Sequence, residues 1–171
     1  VWNDRGYGRP MEPVTWLEAD EQHAWRAVVE FCGRIIDGMD TDVAAFGLTG
    51  ADYEVLVHLC EAEESGLRMS ELAARVLVSR SRLTYRVDRL EERGLVIREN
   101  CETDRRGFIA RLTPAGRQLL VEVAPHHVAG VRARLVDRVD REEFLTLGRI
   151  ATKVLGHDLD AESRHPVGSP A

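Results

Sequence analysis

Apolar residues recur along this chain at two periods, and the change from one to the other marks out its elements. Trp25, Val28, Cys32, Ile35, Met39 and Val43 follow one another at three- to four-residue intervals. That is the spacing of one helix face, so a long helix is expected from Trp16 to a stop near Gly47. Thr49 is placed to cap a second helix, whose stripe is Tyr53, Leu56, Val57 and Leu59/Cys60. Its hydroxyl can accept from a backbone N–H of the first turn. Residues 61–67 are polar, contain Gly66 and are expected to form a loop. A short helix follows over 71–76, capped by Ser70, with Leu72, Ala73 and Val76 turned inward. After a turn at Leu77 and Val78, Ser79 can cap a further helix running to about Arg93. Leu83, Val87 and Leu90 form its buried side, and Gly94 can stop it in the left-handed conformation.

Beyond Gly94 the period becomes two. Residues 95–101 and 106–112 alternate, and the polar stretch 102–105 joins them, which is the pattern of a β-hairpin. Thr113-Pro114 is a helix start, a hydroxyl cap followed by a residue with no N–H to satisfy. The helix it opens carries Leu119, Leu120, Val123, Val128, Val131, Leu135 and Val139. Pro125 inside it is expected to kink or split it. Asp140-x-x-Glu143 has the form of a capping box and opens a last helix, with Phe144, Leu147, Ile150, Ala151, Val154 and Leu155 on one face. Glycines and prolines predict a flexible arm at 1–14 and a flexible tail at 159–171.

This order predicts a mainly α fold with a small β-hairpin. It comprises an N-terminal helix at 15–47, a central lobe at 48–113 and C-terminal helices at 114–158. The first and last helices have broad apolar faces with no evident partner in the central lobe. They are therefore expected to pair with each other and with a second copy of the chain.

Composition narrows the function classes. The chain is 44% hydrophobic and 30% charged, ordinary for a water-soluble domain. No apolar run reaches the roughly 18 residues of a membrane span, and residues 1–13 lack the apolar core of a secretory signal. A cytoplasmic protein with no membrane partner is expected. Three cysteines, Cys32, Cys60 and Cys101, form no C-x-x-C pair, so a zinc ribbon, a thioredoxin-type motif and a disulfide framework are unsupported. Two buried thiols and one loop thiol are expected. The adjacent His126 and His127 diverge by about 100° on a helix, which makes them surface histidines rather than metal ligands. No metal or cofactor is expected.

The net charge of −6 argues against a nucleic-acid partner until its distribution is considered. Residues 75–117 hold eleven arginines and six acids, whereas the rest of the chain holds twelve basic and twenty-three acidic residues. A basic middle with acidic flanks fits one confined contact with a polyanion. Helix 79–93 lies inside that middle. With its apolar stripe turned inward, Ser79, Arg80, Arg82, Thr84, Tyr85, Arg86 and Arg89 are left for other faces. A short helix, a tight turn and a second, basic helix make a helix-turn-helix. Arg80 and Arg82 can bond guanine edges. Thr84 can touch a thymine methyl or a phosphate, and Tyr85 can donate to phosphate. Arg86 and Arg89 suit phosphates or partners within the protein. The competing expectation is that these arginines pair with Asp88, Glu91 and Glu92 across helical turns.

Several ordered motifs resemble one family. Ser79-x4-Thr84-x2-Val87-x2-Leu90-Glu91-x2-Gly94-Leu95-Val96-x-Arg98 resembles the recognition helix and first wing strand of the MarR family of multiple-antibiotic-resistance-type regulators. Asp104-Arg105-Arg106-Gly107 and Leu112-Thr113-x-x-Gly116 are similar to the wing and its exit. Leu48-Thr49-x3-Tyr53-x-Val55-Leu56 and Met69-Ser70-Glu71-Leu72-Ala73 are similar upstream. The resemblance spans about residues 16–157. It implies a winged helix-turn-helix homodimer that binds a pseudo-palindromic duplex operator, with repression the family tendency. It also implies that Asp104 tethers Arg106, which enters a minor groove, with Arg105 as a substitute or a phosphate contact.

The resemblance further implies a small aromatic effector between the dimerisation helices and the lobe. Trp25, Phe31, Met39, Tyr53 and His58 are candidates to line that cleft, although they also match the core period. A second option is an oxidant sensor at Cys101, since Arg98 and Arg105 lie near it in sequence and can lower a thiol pKa. Cys32, on an apolar stripe, looks inert. An enzyme is not expected: G-x-S-x-G, P-loop, G-x-G-x-x-G and H-E-x-x-H motifs are absent from the sequence. A nuclease and a protein-interaction module remain as alternatives.

Overall fold

The computed structural model describes residues 14–76, 79–101 and 104–156, and only the backbone of Arg80 and of residues 104–106. The chain divides into two units, residues 1–34 and 35–171. The first contains the start of helix α1 (Ala19–Val43), whose opening turn carries Asp20 and Glu21; acids at a helix N-terminus complement its dipole. Trp16, Leu17, Trp25, Val28 and Val29 are exposed in this unit. Among the described residues no single helix is long and apolar enough to cross a membrane.

The second unit begins in the last turns of α1. A short 3-10 turn, Ala44–Phe46, and Gly47 at φ +67° end that helix. Helix α2 (Gly50–Glu61) opens on a reciprocal cap. Thr49 Oγ1 accepts from the Asp52 N–H at 3.2 Å, and Asp52 Oδ2 accepts from the Thr49 N–H at 3.0 Å. Helix α3 (Met69–Arg75) starts two residues before the expected position. Its cap is Arg68, whose N–H donates to the Glu71 carboxylate at 3.2 Å, so Ser70 lies inside the first turn. Helix α4 (Arg80–Glu92) is capped by Ser79 as its sequence predicts.

Strands β2 (Val96–Cys101) and β3 (Asp104–Leu112) form the hairpin. The polar segment expected to be only a loop adds a third strand, β1 (Leu67–Arg68), in the order β1-β3-β2, all antiparallel. Leu67 pairs with Ala110 and Arg68 with Ile109. Gly66 makes this approach possible. Its φ is +64°, and a Cβ there would stand 2.5 Å from the Ala110 carbonyl oxygen.

Helix α5 (Pro114–Arg134) runs unbroken through Pro125, contrary to the split considered above. Proline removes the N–H that would serve the carbonyl of Val121, but both residues are exposed and water can take that acceptor. The helix ends at Arg134, and a 3-10 turn, Val136–Arg138, follows, so Leu135 and Val139 lie beyond it. Helix α6 (Arg141–Leu155) begins on the expected Asp140–Glu143 capping box and stops at Gly156, φ +73°. Its Leu145, Leu147, Ile150, Val154 and Leu155 are exposed.

One core holds the lobe together. Val43, Leu56, Leu59, Leu72, Leu83, Val87, Leu90, Val96, Leu120 and Val123 are almost fully buried in one cluster. It draws on the ends of α1 and β2 and on α2 to α5. Thr113 fixes the exit from the sheet: its hydroxyl donates to the Gly94 carbonyl at 2.7 Å and accepts from the Gly116 N–H at 3.0 Å.

Candidate nucleic-acid interface

Helix α4 is amphipathic by construction. Leu83, Val87 and Leu90 are buried at four- and three-residue intervals, so the remaining directions face solvent. Ser79, Ser81, Arg82, Thr84, Tyr85 and Arg89 are all exposed, Tyr85 with 64% of its surface accessible. The side chain of Arg80 lies outside the described residues.

The arginines of this helix do not all face outward. Of the two roles open to Arg86, a phosphate contact or a partner within the protein, the structure shows bonds of the second kind. Its Nη1 donates to Thr49 Oγ1 at 2.9 Å and to Asp52 Oδ1 at 3.1 Å. Asp52 is almost completely buried, so this pair ties α4 to the start of α2. Arg93, which the sequence reading gave no role, donates to the Gly47 carbonyl at 2.8 Å and to that of Phe46 at 3.0 Å. The signal was present as spacing: seven residues after Arg86 is two turns, on the same side.

The helix's acids are engaged from elsewhere. Arg98 on β2 lies 2.7 Å from Asp88 and also binds Glu91, to which it donates from Nε at 2.9 Å. Hydrogen bonding from Arg98 holds the Glu91 carboxyl below the usual carboxylate range, and Glu91 raises Arg98 in turn. The expected competition from α4's own acids is therefore not seen for Arg82 or Arg89 among the described ion pairs.

At the hairpin tip, Cys101 pairs with Asp104 after a register irregularity between Asn100 and Cys101. Residues 102 and 103 and the side chains of Asp104, Arg105 and Arg106 lie outside the described residues, and with them the expected acidic–basic pair.

Of the effector candidates, Tyr53, His58 and Met39 belong to the second unit and Trp25 and Phe31 to the first. Tyr53 is buried in the core, its ring 4.7 Å from that of His127, and burial raises its hydroxyl pKa. It is a core residue in this structure because it lies on the inward face of α2. His58 is half-buried with Nδ1 3.3 Å from Glu61. Met39 is half-buried near the start of α2. In the first unit Trp25 is exposed and Phe31 half-buried.

Two cysteine expectations reverse. Cys101 is buried at the end of β2, where a loop thiol was expected, and Cys32 is exposed on α1. Arg98, offered as an activator of Cys101, is bound to Asp88 and Glu91. Cys60 is half-buried and accepts from Arg117 Nη1 at 3.3 Å.

His127 is also corrected, from surface to part-buried. Its Nδ1 stands 3.6 Å from Asp42 Oδ2, longer than a hydrogen bond. Asp42 is held by both terminal nitrogens of Arg134, the Nη1–Oδ1 distance being 2.9 Å. Burial lowers the His127 pKa, with Asp42 opposing. His126 is exposed, edge-on to Phe46. No cluster of three metal-ligating residues occurs among the described residues.

Known proteins share this arrangement. A family model described as MarR family matches residues 46–107. The crystal structure of AbsC, a MarR family transcriptional regulator from Streptomyces coelicolor, is 42% identical with a TM-score of 0.76, over 84% of this chain and 100% of AbsC. Sco3205, another from that organism and solved in complex with DNA, is 40% identical with a TM-score of 0.79, over 82% of this chain and 92% of Sco3205. The curated HTH-type transcriptional regulator MhqR of Bacillus subtilis (strain 168) is 32% identical over 97 residues. That match takes in 57% of this chain and 66% of MhqR, just under two thirds of that relative's length. Helix-turn-helix, three-stranded wing and flanking helices thus agree with their relatives, and the chain belongs to the MarR family of winged helix-turn-helix transcriptional regulators.

Proposed function

We propose that this regulator binds a pseudo-palindromic duplex operator as a homodimer, represses by occupying a promoter, and releases DNA when a small aromatic effector binds. The observation that carries the DNA contact is the outer side of α4. Arg82 and Arg89 stand exposed there, while Arg98 engages Asp88 and Glu91 of the same helix. An arginine pointed at solvent beside neutralised acids is suited to a guanine edge or a phosphate. Ser79, Arg80, Thr84 and Tyr85 complete the major-groove surface. Arg106, steadied by Asp104, serves the adjacent minor groove, with Arg105 as its substitute or a phosphate contact. Sco3205, at 40% identity, was solved with DNA, which supports the same partner here.

The homodimer is supported by the apolar residues left exposed on α1, α5 and α6, including Val128, Ile150 and Val154. A stripe of large apolar side chains left in water along one helix, as Leu147, Ile150 and Val154 are on α6, marks an interaction surface. Two-fold symmetry then places half-sites about one helical turn, ~34–36 Å, apart. An effector that favours one spacing of the two α4 helices shifts the bound population.

Fluorescence anisotropy with duplexes enriched from a random-sequence pool tests this directly. Binding should be tight, should weaken steeply as salt rises, and should leave the duplex intact in the presence of Mg²⁺. Absence of binding in dilute salt overturns the proposal, and cleavage of the duplex would make the chain a nuclease.

A further inference from the structure

Arg86 of α4 and Arg93, the residue that caps its C-terminal end, reach the same short stretch of chain. Arg86 reaches Thr49 and Asp52, and Arg93 reaches the carbonyls of Phe46 and Gly47. All four acceptors lie within residues 46–52, the turn that leads into α2. That turn is itself held in place. The two oxygens of Asp52 are divided, Oδ2 to the Thr49 N–H and Oδ1 to Arg86. The Gly50 N–H donates to Asp40 Oδ1 at 2.6 Å.

An apolar stripe of Leu83, Val87 and Leu90 buries one side of α4 but is non-directional. It resists separation more than rotation or a small slide. Charge-assisted hydrogen bonds are directional, and two of these contacts set two turns apart fix both rotation and axial position. On the same edge Arg82, Arg86, Arg89 and Arg93 follow one another at four-, three- and four-residue intervals, and every second one, Arg86 and Arg93, bonds the 46–52 turn.

We infer that Arg86 and Arg93 are positioning residues for sequence reading. They seat α4 on the 46–52 turn so that Arg82 and Arg89 meet the groove at a fixed pitch and rotation. The inference rests on the DNA-binding reading above. Its signature follows from geometry. Attraction to phosphates survives a small displacement of the helix, whereas a bidentate contact to a base edge does not. Loosening the seat therefore reduces discrimination between sequences more than it reduces general affinity. Asp52 is the discriminating partner, because it is buried and has no route to DNA of its own.

The test compares full-length wild type with R86Q, R86K, R93Q, D52N and the double variant D52N/R86Q. The probes are the duplex that wild type enriches from a random pool and a random-sequence duplex. R86Q and D52N should each lower the ratio of the two affinities about tenfold, the order expected for one impaired base contact. The dependence of log Kd on log salt should stay as in wild type. The double variant should be no worse than either single one, because both remove one interaction. R93Q should move in the same direction, and R86K should restore part of the ratio. A salt slope lower by about 0.9 in R86Q, with D52N behaving as wild type, makes Arg86 a phosphate contact and overturns the inference. Unchanged discrimination in R86Q and D52N overturns it too. Should R86Q be unfolded at the assay temperature by circular dichroism, D52N and R86K decide the matter alone. A wild type that enriches no duplex at all overturns the DNA-binding reading itself, a different outcome from enrichment that the variants retain.

Discussion

Four arginines share one edge of α4 and its C-cap, yet the chain uses them in two ways. Periodicity in the sequence places all of them off the apolar stripe; only the fold shows which ones meet an acceptor on a neighbouring element. Arg82 stays exposed. Arg82→Ala should therefore leave the melting temperature unchanged and weaken binding to the enriched duplex by about 1–3 kcal/mol, the range for a lost bidentate base contact. An equal loss on random duplex would make it a phosphate contact. His127 was hidden for a related reason: adjacency to His126 says that the two rings diverge, not which one meets the core. Burial lowers its folded pKa, while an unfolded histidine titrates near 6.5. Between those values the unfolded chain holds more protons than the folded one, so stability rises with pH across that window and is lost as pH falls below about 6.5. The melting temperature should drop between pH 7.5 and pH 5.5, and His127→Gln should show a smaller drop. Parallel curves for the two proteins would contradict this.

Helix ends were legible because their chemistry is local. Thr49, Ser79, Thr113 and the Asp140–Glu143 pair each cap the helix that their sequence context indicates. Gly94 sits at φ +70° where α4 stops. Strand β1 was not legible, since two residues carry no period and their partners, Ile109 and Ala110, come some forty positions later. What the sequence does contain is Gly66, whose backbone at φ +64° and ψ −174° is close to glycine-only. An added methyl there would also meet the Ala110 carbonyl. Gly66→Ala should cost about 2–4 kcal/mol, backbone strain and overpacking together, read as a lower urea midpoint with an unchanged slope. The cap at α5 is a milder case. Thr113→Ala loses one bond to the Gly94 carbonyl and one from the Gly116 N–H, and should cost about 1 kcal/mol.

The last helix bears on how the lobes are deployed. Its apolar residues were visible as a stripe, and the structure leaves Leu147, Ile150 and Val154 exposed, Val154 with 81% of its surface open to water. Among the described residues no side chain of the lobe's core comes from α6, so these residues contribute little to the stability of the winged lobe. Their burial against a second copy would recover about 25 cal/mol for each Å² of apolar surface removed from water. Such a dimer presents two α4 helices to one duplex, and the second contact forms at the high effective concentration set by the first. Charge at the centre of that face should therefore separate assembly from folding. The double variant Leu147→Asp/Ile150→Asp should sediment as a monomer at micromolar concentration, and wild type as a dimer. The lobe should keep its cooperative thermal transition. Affinity for the enriched palindromic duplex should fall by about a hundredfold or more, the scale of a lost second site, while affinity for a single half-site changes little. A monomeric variant that still binds the full palindrome like wild type would remove the dimer from the account of DNA binding and leave each lobe reading its half-site alone.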